Sequence, residues 1–351
     1  MARAGKHPGS QVVTPLRQAR LAIPATLEAV CADLDKSAPD GSSGITDNGW
    51  LWGRGSSDSK VRCDLLSPRS PAGRRLRSAV WALGAAVRPF DLDEHTGGFG
   101  GAKQYFEGDG APSDVAGVMI GYPGMDRLVI GGRGVYRTQL HVHGTSSHSG
   151  GSKSTPNAIE KAAHLTRALS ELELPDGATE EFPLPGKLTV TSITGGRGYS
   201  VTPDLCAINV DIRTTLSFDD PAAAALLERT VAEVDRAWPD TQPTLIEVTT
   251  RWPAFALPAD SPLRATIIDA AYAFGVDIEP KIAGPSNIGN YLVSLGIPAT
   301  AGFGVTYTRL HATDERFRTD TVPTVQAIYH AALLRLLSER GADRVRTVHQ
   351  S

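Results

Sequence analysis

Hydrophobic and polar positions alternate most clearly in the middle of the chain. Residues 133–144 (RGVYRTQLHVHG), 186–196 (GKLTVTSITGG), 205–215 (LCAINVDIRTT) and 244–252 (TLIEVTTRW) have the period-two pattern that predicts strands. Between them, 154–172 and 219–238 carry apolar residues at helical spacing. Ser154 stands where an N-cap is expected for the first helix, and Asp219 with Pro221 suits the start of the second. The predicted order β-α-β-β-α-β, over about 130–250, is that of the split, ferredoxin-like unit. The flanks predict helices over 262–275 and 322–340 and a buried strand running into a loop over 297–304. Such pieces suit an α/β sandwich whose halves lie on either side of an inserted module, which chain termini that lie close together make easy to tolerate. Residues 61–88 carry six arginines and two prolines and hold no clear helical pattern.

Composition narrows the function classes. The 351 residues suit two domains, and 41% hydrophobic with 21% charged residues is the balance of a water-soluble globular protein. A net charge of −3 gives no basic surface for nucleic acid. No apolar run is long enough to span a membrane, and the basic N-terminus has no apolar signal-peptide core. Cys31, Cys63 and Cys206 are too widely spaced for a metal finger and are expected to be reduced in a cytoplasmic protein.

Four clusters hold candidate chemistry. Asp58 follows a Gly-Arg-Gly turn in LWGRGSSDSK, where it suits a helix cap as well as a functional carboxylate. Asp93-Glu94-His95 ends an apolar stretch before a glycine-rich turn that opens a helix, a place that a solvated loop would also fill. In HVHGTSSHSG, His141 and His143 fall on one strand face, as cross-strand or surface histidines do, while His148 lies in a polar turn and is the better functional candidate. His311 sits in a loop ahead of Asp314-Glu315, which also reads as polar surface.

Taken in order, these stretches resemble the M20 family of metallopeptidases and amidohydrolases, which includes aminoacylases, acetylornithine deacetylase, succinyl-diaminopimelate desuccinylase and carboxypeptidase G. LWGRGSSDSK is similar to the family's Gly-Arg-Gly-x-x-Asp-x-Lys segment, and DEHTGGFGG to its Asp-Glu-Glu-x-Gly-x-x-Gly segment. GTSSHSGGSKSTPNAI, GGRGYSVTPDLCAINVDIR and HATDER are similar to three further family stretches, in the family's order. The resemblance covers about residues 48–340. It implies a zinc-hydrolase α/β sandwich with an inserted ferredoxin-like dimerisation domain. Residues 1–129 and 251–351 would form the metal-binding catalytic domain and 130–250 the dimerisation and lid domain.

The resemblance also implies roles. Asp58 would bridge two zinc ions, with His95 and His311 as further ligands and Asp126 as a substitute ligand; cobalt or manganese could replace zinc. Glu94 would be the general base, and His148 would polarise the scissile carbonyl in the partner subunit of a homodimer. Arg213 would bind the substrate carboxylate, with Ser200 and Asn157 beside it. The implied activity is hydrolysis of an amide in an N-acyl amino acid or small peptide. Three departures stand against full activity. Residues 1–52 hold no His-x-Asp pair, Tyr122 stands where the family has an acidic ligand, and Ser200 where it usually has Asn. They favour the alternative of a catalytically impaired or inactive homologue that keeps the dimer module and ligand binding.

Overall fold

A computed structural model describes residues 46–52 and 98–348, apart from 110, 176, 311 and 313. In chain order, strands β1 (Thr46–Asp47) and β2 (Trp50–Trp52) come before helix α1 (Gly100–Glu107). Strands β3 (Arg127–Gly132), β4 (Val135–His143) and β5 (Ser147–His148) lead into α2 (Ala158–Ser170). Next come β6 (Lys187–Gly195), β7 (Val201–Thr202), β8 (Leu205–Arg213), α3 (Asp220–Arg236), β9 (Leu245–Trp252) and β10 (Phe255–Ala256). The last part holds α4 (Pro262–Ala273), β11 (Glu279–Ala283), α5 (Ile288–Ser294), β12 (Tyr307–Thr308), β13 (Arg316–Arg318) and α6 (Val322–Val348). The described residues divide into two compact units. One is Gly131–Ala256 with Ile282–Gly296; the other takes the residues up to Ile130, Leu257–Lys281 and those from Ile297 on.

The central unit is built on an antiparallel sheet of order β6-β8-β4-β9. Side chains alternate across its pleat. Leu140 and Val142 of β4 and Cys206, Ile208, Val210 and Ile212 of β8 are buried, and they pack with Ala162, Leu165 and Leu169 of α2 and Leu227 and Val231 of α3. Each fully buried leucine or isoleucine there contributes about 1.5–3 kcal/mol. The opposite face of the two inner strands is polar: Arg137, Gln139, His141 and His143 on β4, Asn209, Asp211 and Arg213 on β8. The alternation that predicted these strands is the two-faced character of a sheet covered by helices on one side.

Both helices are capped by side chains. Asp219 accepts from Ala222 N at the start of α3, with Pro221 in the first turn, as expected from the sequence. The α2 cap is Asn157, three residues beyond the predicted Ser154; its Oδ1 accepts from Ile159 N at 2.9 Å. The delay has a tertiary cause. Thr145 N donates to Pro156 O at 2.7 Å and the Thr155 hydroxyl bonds to Ser147, so 155–156 are held extended and cannot join the helix. Across the two helices, fully buried Lys161 places Nζ 2.8 Å from Asp235 Oδ1 and donates to Thr241 Oγ1 at 2.8 Å.

In the other unit β1, β2, β13 and β12 form an antiparallel sheet in that order. The Trp50 ring carries the Arg316 and Arg318 guanidiniums at 4.8 and 5.4 Å from its centroid. Helices α4 and α6 pack together, with Arg335 and Asp269 paired at 3.0 Å. The Tyr329 hydroxyl on α6 ties down two carbonyls, Ile120 O and Phe303 O. The strand expected over 297–304 is buried but forms only isolated bridges, Val118↔Ala299, Gly121↔Phe303 and Val129↔Gly302. Gly302 takes φ +151, outside strand geometry, and a Cβ there would collide with Tyr122. The glycine lets two backbones meet at the cost of a regular ladder. Among the described residues no helix is long and apolar enough to cross a membrane.

Candidate active site

Arg213 ends β8 on the polar face of the central sheet. Its Nε donates to Asp211 Oδ1 at 2.7 Å and its Nη2 to Asp211 Oδ2 at 3.3 Å. Its Nη1 donates to Ser286 Oγ at 3.3 Å, and that hydroxyl donates to Arg133 O at 2.8 Å. The Arg133 side chain is pinned by Nε to Gly284 O at 3.0 Å and by Nη1 to Pro185 O at 3.2 Å. Burial, and then the positive charge of Arg213, push the Arg133 guanidinium below its ordinary value, with Asp211 opposing. A third guanidinium, Arg137 on β4, donates Nε to Asp211 Oδ2 at 2.8 Å. Arg213 is half-buried and held by Asp211 on its side-on edge, and its end-on edge is suited to a carboxylate.

His148 lies on β5, opposite Val201 of β7, rather than in the expected turn. It is exposed, and its Nδ1 accepts from Gly150 N at 3.0 Å. A neutral imidazole that accepts at Nδ1 carries its proton on Nε2 and offers it outward. Ser200 is exposed nearby in sequence, and its carbonyl accepts from Ser149 N at 2.9 Å. The Asn157 amide oxygen is committed to the α2 cap. His141 bonds across the sheet to Glu247 Oε2 at 3.0 Å, a cross-strand contact of the kind expected for that pair of strand histidines.

Asp126 belongs to the other unit. Its carboxylate is 81% exposed and lies 3.6 Å from Arg127 Nε. Tyr122, where the resemblance would put an acidic ligand, is held by its backbone N, which donates to Phe303 O at 3.0 Å. Asp58, Glu94, His95 and His311 lie outside the described residues. Among the described residues no group of three or more His, Cys, Asp or Glu side chains could hold a metal ion. Sequence reasoning missed Asp211, Arg133, Arg137 and Ser286. The Asp-x-Arg spacing puts Asp211 and Arg213 on one face, a signal that was available; Arg137 stands 74 positions from Asp211 and Ser286 73 from Arg213, and no spacing links them.

Residues 130–239 match the family model of the M20-type peptidase dimerisation domain. Succinyl-diaminopimelate desuccinylase of Cereibacter sphaeroides is 26% identical over 311 residues, covering 83% of this chain and 75% of the relative. The counterpart from Paracoccus denitrificans is 25% identical over 197 residues, 54% of this chain and 49% of its own. Among solved structures, aminopeptidase PepT from Bacillus cereus has TM-score 0.63 at 16% identity, and a tripeptidase from Staphylococcus aureus has 0.62 at 16%; each comparison covers 84% of this chain and 76% of the other. Residues 130–239 are thus similar to the M20-type peptidase dimerisation domain, the chain resembles succinyl-diaminopimelate desuccinylases along most of its length, and it shares its fold with the two peptidases.

Proposed function

We propose that the protein is a metal-dependent hydrolase acting as a homodimer on an amide bond next to a carboxylate, in an N-acyl amino acid or small peptide. Residues 130–250 serve as the dimerisation and lid domain, and 1–129 with 251–351 as the catalytic domain. The observation that carries the reading is the Arg213 guanidinium, gripped on one edge by Asp211 and flanked by the Ser286 hydroxyl, as a fixed receptor for the substrate carboxylate. The desuccinylase relatives add support, since the substrate in their name carries carboxylates of its own.

Within this reading Asp58, His95 and His311 hold zinc, which when bound supplies an acidified water and a Lewis acid. Glu94 takes the proton of the attacking water. His148 donates Nε2–H to the carbonyl oxygen on which negative charge develops, in the partner subunit's site. Asp126, exposed beside Arg127, adds little to the ligand set. Asp58, His95 and His311 with water suffice for a single tetrahedral site, so we expect one firmly held zinc per chain. Metal analysis of the purified protein, with a hydrolysis panel of N-acyl amino acids and their amides, is the test. Near-stoichiometric zinc and slow hydrolysis of the free acids are expected. No metal and no hydrolysis would reduce the protein to a ligand-binding homologue.

A further inference from the structure

Two guanidiniums, Arg213 and Arg137, share the Asp211 carboxylate on the open face of the central sheet. Asp211 and Arg213 face the same way because they stand two residues apart on β8, and Arg137 is the cross-strand partner of Asp211 on β4. Asp211 binds the side-on edge of Arg213 through Nε (2.7 Å) and Nη2 (3.3 Å), while its Oδ2 also takes Arg137 Nε (2.8 Å). The carboxylate is 16% exposed and the Arg213 side chain 20%, so water screens the group poorly. Ser286 links Arg213 to the Arg133 backbone, since its Oγ accepts from Arg213 and donates to Arg133 O, and the Arg213 charge helps to lower the Arg133 guanidinium. Arg213 therefore stands among like charges, and Asp211 is the counter-charge that keeps it in place.

We infer that Asp211 is a positioning residue: by gripping the side-on edge of Arg213 it aims the end-on edge, steadied by Ser286, at the substrate carboxylate. The inference rests on the reading that Arg213 receives that carboxylate. Arg137 does not touch Arg213 and draws on the same Oδ2, so it weakens the grip rather than making it. A purely structural Asp211 would support the fold and leave ligand affinity alone.

The test is calorimetric titration of N-succinyl-L,L-diaminopimelate into the metal-stripped full chain, which separates binding from turnover. Asp211→Asn should weaken binding by about tenfold or more, the range of a lost charge-assisted hydrogen bond. Arg137→Gln should leave binding within about threefold or tighten it, and Arg213→Gln sets the full loss. Asp211→Asn binding like the wild type, Arg137→Gln weakening binding as much as Asp211→Asn, no binding by the wild type, or Arg213→Gln without effect each overturns the inference. If Asp211→Asn does not fold, Asp211→Glu takes its place, keeping the charge and moving the carboxylate by one methylene. A loss above about threefold then supports the role and unchanged binding overturns it. If Asp211→Asn weakens binding but the zinc-loaded wild type hydrolyses no amide, the proposed activity fails and the positioning role stands.

Discussion

A neutral histidine that accepts a backbone N–H at Nδ1 has a single tautomer left to it. The Gly150 N–H bond to His148 sets that condition in this chain, and it makes Nε2 the donor. Nitrogen NMR of the neutral imidazole should show the proton on Nε2, and His148→Ala should lower kcat by about a hundredfold with a small change in KM. A Nδ1-protonated ring, or an equal rise in KM with kcat intact, would take His148 out of the role of oxyanion donor. The residue scale is also where the sequence was most and least readable. Arg213 and His148 stood out because their motifs are local. Beyond Asp211, the groups around Arg213 are not local: Arg137 reaches Asp211 across 74 positions and Ser286 reaches Arg213 across 73. Only the register of β4 on β8 and the return of the chain near 286 bring them together, and neither is written in spacing.

Elements carry a different kind of information. The strands of the central unit were legible because each buries one face, and α3 because Asp219 and Pro221 mark its start by local chemistry. The start of α2 was misplaced because long-range bonds hold 155–156 extended, and the strand over 297–304 because the demand there is close approach to Tyr122 rather than pairing. The Lys161–Asp235 contact between α2 and α3 yields a prediction at this scale. Burial pushes the Asp235 carboxyl up, but bonds from Lys161 and from the Thr244 backbone and hydroxyl outweigh it and hold the carboxyl below its ordinary value. A depressed folded-state value means that its stabilisation is fully present above the unfolded value of about 3.9 and is lost as pH falls through the folded one. Asp235→Ala leaves the Lys161 charge buried, and it should cost about 3–5 kcal/mol in urea unfolding at pH 7. The gap from wild type should narrow as pH drops below about 4. A gap that is constant with pH would show that packing, not charge, is what the variant removes.

At the scale of the whole molecule, the edges of the central sheet decide where a second copy would dock. A four-stranded sheet has two edges, here β6 and β9, and an unpaired edge invites another strand. The edges differ in chemistry. β9 carries Glu247 and Arg251, charges of the kind that guard an edge against pairing. After Lys187, β6 runs LTVTSITG without a charge, and its last five residues are exposed on both faces. Ile193 is 49% exposed there, and Leu205 on β8 and Ile159 on α2 are exposed too; Ile159 lies against the end of the strand, where a Cβ at Gly195 would meet it at 3.1 Å. An uncharged edge with apolar neighbours suits two-fold pairing with the same edge of a second chain, which would satisfy the free backbone groups and cover the isoleucines in one step. The family model matched at 130–239 is that of a dimerisation domain, and this edge lies inside it. Light scattering at micromolar concentration should therefore give twice the chain mass. Ile193→Lys places a charge on the pairing edge and should give a monomer with an unchanged circular dichroism spectrum, whereas Val248→Lys on β9 should remain a dimer. A dimer that survives Ile193→Lys and dissociates with Val248→Lys would move the interface to the opposite edge. A wild-type monomer would remove the interface altogether, and with it any part for His148 in a neighbouring chain.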